Sequence, residues 1–156
     1  MRSKRFKFLI FCFCFGCLIV NNSRASLIAE INHSPVYDSA NALIDLSSSI
    51  LKSNPEEAYK IAEKAKISGQ SLNSNDIIAK ALWLEGKAKI ELEDYYPAKK
   101  LLTEAVSICD TSQNELLTAE IKYALALSCY YTMEYKDAID NYQYALKTYT
   151  KLGKEQ

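Results

Sequence analysis

An all-α array of three antiparallel helix pairs is the fold class this sequence predicts. Three observations predict it. Comparing the 156 residues with themselves at an offset of 40 aligns Ala58 with Ala98 and Ala138, and Ala65 with Ala105 and Ala145. Apolar residues between these alanines recur at steps of three and four, the spacing of one helix face. The breaks carry helix start and stop chemistry, and no strand pattern survives.

Residues 1–25 stand apart from that array. They hold five basic residues, no acid and all five Phe, whereas all eleven Tyr and the Trp lie after them. The chain total of 19 basic and 19 acidic residues therefore hides a body with 14 basic against 19 acidic, a net charge of −5 for residues 26–156. An acidic body argues against nucleic acid as a partner, since phosphate binding needs clustered cations. The head reads as an export signal: a basic stretch Arg2 to Lys7, the apolar run Phe8 to Val20, then Ser23-Arg24-Ala25, with small residues suited to a cut after Ala25. A helix of that run spans about 20 Å, short of the roughly 30 Å hydrocarbon core. An uncleaved anchor and a lipoprotein cut before Cys17 are the alternatives. The mature product is expected outside the cytoplasm, periplasmic or extracellular, with no membrane contact of its own.

Residues 26–36, with Asn32, Ser34 and Pro35, read as a lead-in, and the array runs from 37 to 156. Its units fall near 37–73, 74–113 and 114–153. Helices are predicted near 38–52, 55–68, 75–92, 95–109, 115–132 and 135–152. Ser53-Asn54-Pro55-Glu56 offers an N-cap, a first-turn Pro and an early acid. Gly69 and Gly153 are expected to end their helices in the left-handed conformation. Asp94 and Pro97 start the fourth helix. In the sixth, Tyr135, Ile139, Tyr142, Leu146 and Tyr149 form a one-sided stripe. Within each pair, Leu46, Gly86 and Ala126 stand twelve residues before Ala58, Ala98 and Ala138. Small residues there permit close helix crossing, with Tyr95 and Tyr135 filling the space beneath the turns.

Chemistry-bearing residues are sparse. Cys12, Cys14 and Cys17 belong to the head, and Cys109 and Cys129 are separated by roughly 20 Å along antiparallel helices, beyond disulfide reach. Both read as small buried apolar residues. His33 is the only His, so no His-based metal cluster or His-assisted nucleophile can be assembled. Asn32-His33-Ser34 matches a glycosylation acceptor, followed by Pro35. No Gly-rich phosphate loop or paired-carboxylate site is present, and neither enzyme activity nor a cofactor is expected. Lys99-Lys100 and Glu56-Glu57 read as solvated helix faces.

The stretches Gly86 to Ala98 to Ala105 and Ala126 to Ala138 to Ala145, with Asp94-Tyr95 and Glu134-Tyr135 before the second helices, resemble tetratricopeptide repeats (TPR). The period of 40 is similar to the longer-helix variety of that family, whose common period is 34. The resemblance covers about 38–152 and is weaker in unit one, where Leu46 replaces the small residue and no aromatic precedes Pro55. Glu85, Lys89 and Lys122 depart from it, standing where apolar residues are usual. A HEAT-type repeat is the nearest rival. The resemblance implies a right-handed α-solenoid whose first helices line a concave face. Its groove positions fall on Lys80, Trp83, Lys87, Ile90 and Glu91 in unit two, on Glu120, Tyr123, Leu127, Tyr130 and Tyr131 in unit three, and on Leu43, Ser47 and Ile50 in unit one. Trp and Tyr there suit a hot spot for an extended peptide or protein; the competing reading is that they are core. A clamp for peptide carboxylates is not expected, because its positions hold Leu43, Trp83, Tyr123, Ser47, Lys87 and Leu127.

The phase of 40 would start a fourth unit near Lys154, and Tyr142, Leu146 and Tyr149 would be partly covered by its first helix. The expectation is that a partner or a second copy covers that end, or that the chain is a shortened version of something longer. Two functions follow. One is an exported, non-enzymatic scaffold that binds protein or peptide. The other is the sensor fragment of a bacterial signalling protein, a histidine kinase or DNA-binding regulator, without its output domain.

Overall fold

In the computed structural model, which describes residues 35–109 and 114–153, helices open on a regular beat. They are α1 (Pro35–Ile50), α2 (Pro55–Ser71), α3 (Asn75–Glu91), α4 (Tyr95–Cys109), α5 (Glu115–Tyr131) and α6 (Tyr135–Lys151). The odd-numbered helices start forty residues apart, at Pro35, Asn75 and Glu115, and so do the even-numbered ones, at Pro55, Tyr95 and Tyr135. No strand occurs among the described residues. The predicted export signal at 1–25, the Asn32-His33-Ser34 triplet and the segment after Gly153 lie outside the described residues. The contacts divide the chain at Asp38, and the packing below belongs to the unit from Ser39 onward.

Local chemistry explains the starts. Asn54, Ser74 and Asn114 side chains accept from the amides of Glu57, Ile77 and Leu117, satisfying donors that a first turn leaves orphaned. Pro55 and Pro35 take first-turn positions, so the lead-in ends two residues earlier than its predicted boundary. At the N-terminus of α6, Glu134 makes no side-chain cap, because its carboxylate accepts instead from Lys99 Nζ. Lys99 is therefore half-buried in an ion pair between α4 and the start of α6, not part of a solvated face as predicted.

The ends differ from expectation at one glycine. Asn73, Glu93, Met133 and Gly153 hold the left-handed conformation, at φ 50, 60, 64 and 65°. After Asn73, Glu93 and Met133 the next amide reaches back five residues: Ser74 to Gly69, Asp94 to Lys89, Glu134 to Cys129. Gly69 does not end its helix. It is buried inside α2, where an added Cβ would lie 2.8 Å from Ile77 Cγ2 and 3.1 Å from the Ile78 amide nitrogen. Close approach of α3, not backbone freedom, is what Gly69 permits.

Consecutive helices pack against each other in opposite senses. Glu115 at the start of α5 meets Lys151 at the end of α6, and Tyr123 meets Tyr142 between them. The core runs through α3 to α6 on Leu82, Leu102, Ala105, Leu117, Ile121 and Leu125. In the α3–α4 pair Gly86 lies close against Leu102, one turn beyond Ala98, which is also buried. Cys109 and Cys129 are buried and form no disulfide among the described residues, and the Thr118 hydroxyl lies 3.1 Å from the Cys109 sulfur.

Unit one is rotated relative to its prediction. Leu46, the expected crossing residue, is 48% exposed, and the neighbouring Ser47 is buried with its hydroxyl donating to the Ala58 carbonyl at 2.8 Å. The turn after α1 has no left-handed residue and closes with Asn54 to Ile50, a four-residue step where the turns after α3 and α5 use five. The connection after α1 runs over four residues, 51–54, where those after α3 and α5 run over three, and α1 turns Ser47 instead of Leu46 toward α2.

The predicted α6 stripe flanks the core instead of facing it. Ala138, Ala145 and Thr148 are buried, whereas Tyr135, Ile139 and Leu146 are more than half exposed, so Tyr135 does not fill the space beneath its turn. The three charged departures each find a partner. The Glu85 carboxylate is fully buried and reaches Lys66 on α2, with Oε2 accepting at 2.8 Å. Oε1 lies 2.7 Å from the same nitrogen without hydrogen-bond geometry. Lys89 pairs with Asp94 at 3.1 Å and lies over the Tyr59 ring. Lys122 lies over Tyr144, 4.4 Å from its centroid.

Candidate functional site

Two cavities open along the face to which α1, α3 and α5 contribute, and both include Trp83 and Glu120. The first, about 410 Å³, is lined by Lys52, Trp83, Lys87, Ile90, Glu91, Glu120, Tyr123, Ala124, Leu127 and Tyr149. The second, about 320 Å³, is lined by Asn41, Ile44, Asp45, Ser48, Lys80, Trp83, Leu84, Asn114, Leu116, Leu117 and Glu120. The helical step places Trp83, Lys87, Ile90 and Glu91 on one side of α3, and Glu120, Tyr123 and Leu127 on one side of α5.

Lys80, Trp83, Lys87, Glu120, Tyr123 and Leu127 therefore stand together, divided between the two cavities. Lys80 pairs with Asp76 one turn earlier, at 2.6 Å. Tyr130 and Tyr131 go elsewhere. Tyr131 stacks on Tyr95 with centroids 4.2 Å apart, and Tyr130 sits edge-on to both Tyr131 and Tyr135. This cluster lies at the turn end of the helix pairs, because Tyr130 and Tyr131 are the last residues of α5.

In unit one the lining residues are Asn41, Ile44, Asp45 and Ser48, of which Ile44 and Ser48 fall one position after the predicted Leu43 and Ser47. Ser47 is instead buried in the α1–α2 contact, and Ile50 packs with Leu51, Ala58 and Tyr59. The one-residue rotation of α1 accounts for both shifts. Lys52 and Tyr149 also line the first cavity, without following the first-helix spacing, because Lys52 lies in a turn and Tyr149 on a second helix.

The electrostatics of the first cavity are mixed. Lys87 Nζ lies 4.6 Å from the Trp83 ring centroid. Burial pushes the Lys87 ammonium below its ordinary range; Glu120 and Glu91 pull it back, and Lys52 adds to the depression. Burial, then Glu120 and Tyr123, raise the Tyr149 hydroxyl. Tyr123 is 53% exposed and meets Tyr142 edge-on at 5.4 Å. The Trp83 indole Nε1 is buried with no acceptor.

Among the described residues no group of three His, Cys, Asp or Glu is placed to hold a metal ion. Among them, too, no helix is long and apolar enough to cross a membrane. No protein-family model and no curated protein matches the sequence.

Proposed function

We propose that this chain is an exported, non-enzymatic scaffold of the tetratricopeptide kind, a right-handed solenoid that binds an extended peptide or protein on the face of its first helices. One observation carries the reading: two cavities adjoin at Trp83 and Glu120. A site of two joined hollows suits an elongated ligand, and rigid aromatic rings bury much area at little entropic cost. The forty-residue beat of helix starts supports the repeat assignment. Export rests on the residue pattern of the head.

Trp83→Ala and Tyr123→Ala test the binding reading. Each is expected to weaken capture of a peptide selected from a displayed library by at least about tenfold, the usual hot-spot range. The helical circular dichroism should be kept. Collapse of helicity in both variants would make these residues core and end the reading. Mass spectrometry of the exported product should show a new N-terminus after Ala25.

A further inference from the structure

We infer that the cavity beside Trp83 receives a cationic side chain, Arg or Lys, carried on an extended peptide, and that Lys87 occupies that place in the free protein. The inference rests on the peptide-binding reading above and gives the peptide its chemistry.

Trp83, Tyr123 and Tyr149 bring three aromatic rings to one cavity, with Glu91 and Glu120 beside them. Aromatic faces carry negative potential, so rings with carboxylates form surroundings that attract cations. The chain itself shows how the site treats one. The Lys87 ammonium lies over the Trp83 ring, and Glu120 and Glu91 both favour its charge. The placement has a cost, because burial removes water from that ammonium and Lys52 opposes it. A flexible four-carbon stem lets Lys87 withdraw to solvent, leaving the ring face to an incoming cation. An arginine would gain further, since its planar guanidinium stacks on indole.

The second cavity argues for a peptide over a small amine. It adjoins at Trp83 and Glu120 and adds Asp45 and Lys80, the lysine being paired with Asp76. An occupant that places one basic side chain over Trp83 can set another near Asp45. The net charge of −5 over residues 26–156 steers the same partner.

The test uses the full chain and three short synthetic peptides, identical except for a central Arg-Arg, Gln-Gln or Glu-Glu pair. Fluorescence of Trp83, the only tryptophan, and calorimetry report binding. The Arg-Arg peptide is expected to bind tightest. Lys87→Met should tighten it about fivefold, and Glu120→Gln should weaken it about fivefold, the size of one charge contact near water. If Glu120→Gln alters the circular dichroism, Glu91→Gln on the exposed rim takes its place. Equal or tighter binding of the Gln-Gln or Glu-Glu peptide overturns the cation inference and leaves the peptide groove standing. Loss of Arg-Arg binding in Lys87→Met also overturns it. Failure of all three peptides with both the native chain and Lys87→Met removes the groove reading as well.

Discussion

A methyl group on Gly86 would lie 2.6 Å from Leu102 Cγ and 2.7 Å from its Cδ2, with Leu102 itself fully buried. Gly86→Ala sets two effects against each other. Alanine gains about 1 kcal/mol of helix propensity, and overpacking costs about 1–3 kcal/mol. The clash wins, because the approached atoms include the branch carbon of a side chain with no space to turn. Urea unfolding should show a net loss of about 1 kcal/mol. At the matching place in unit three, Ala126→Gly should also destabilise, by a similar amount, through propensity and a lost buried methyl.

Lys66→Met strands the buried Glu85 carboxylate. The expected loss near neutral pH is about 3 kcal/mol, somewhat less because Lys66 keeps partial solvent contact. The double variant Lys66→Met, Glu85→Leu should recover most of it. Thermal melts of the three proteins check both statements.

The same carboxylate predicts a pH dependence. Burial first, offset by Lys66 and reinforced by Glu63 and Glu104, raises the Glu85 pKa above its ordinary 4.5. The folded state thus holds this proton more tightly than the unfolded state does. The stability it contributes is fully present below 4.5 and lost as pH rises through the higher folded value. Measured against Glu85→Gln, the native chain should gain stability as pH falls from neutral toward 4.5. A difference that is flat or reversed over that range would contradict the assignment.

Met133 is three-quarters exposed and held at φ 64°. Its left-handed backbone costs about 1–2 kcal/mol, whereas glycine there costs only its extra unfolded-state freedom. Met133→Gly should therefore stabilise by up to about 1 kcal/mol in denaturant unfolding, with the helical signal unchanged.

Helix starts were legible because they rest on local chemistry. Asn54, Ser74 and Asn114 cap the turns next to them, and Pro55 marks its own position. Gly69 misled because a glycine near a helix end has two uses, a left-handed turn or a close approach, and only the neighbouring helix decides between them. The face of α1 was misplaced by one residue, since the length of the turn bond between Ile50 and Asn54 is a backbone choice that no side chain announces. The groove was half legible. Trp83, Lys87, Glu120, Tyr123 and Leu127 follow helical spacing, but Tyr131 stacks on Tyr95, a contact between units, and Tyr130 sits edge-on to Tyr131 and Tyr135. Glu85 looked like a flaw in the apolar pattern because its partner Lys66 sits nineteen positions earlier on another helix.

That ion pair has a counterpart forty residues on, where Val106 and Leu125 stand in place of Lys66 and Glu85. The two inter-unit joints are thus marked differently, one ionic and one hydrocarbon. Helices built on one beat have similar apolar faces, and the ion pair sets the α2–α3 joint apart from the α4–α5 joint. A pairing of Glu85 with Val106 in place of Lys66 would leave a buried carboxylate uncompensated, at a cost of several kcal/mol. The pair gives the joint between units one and two a polar mark that the joint between units two and three lacks at the matching positions.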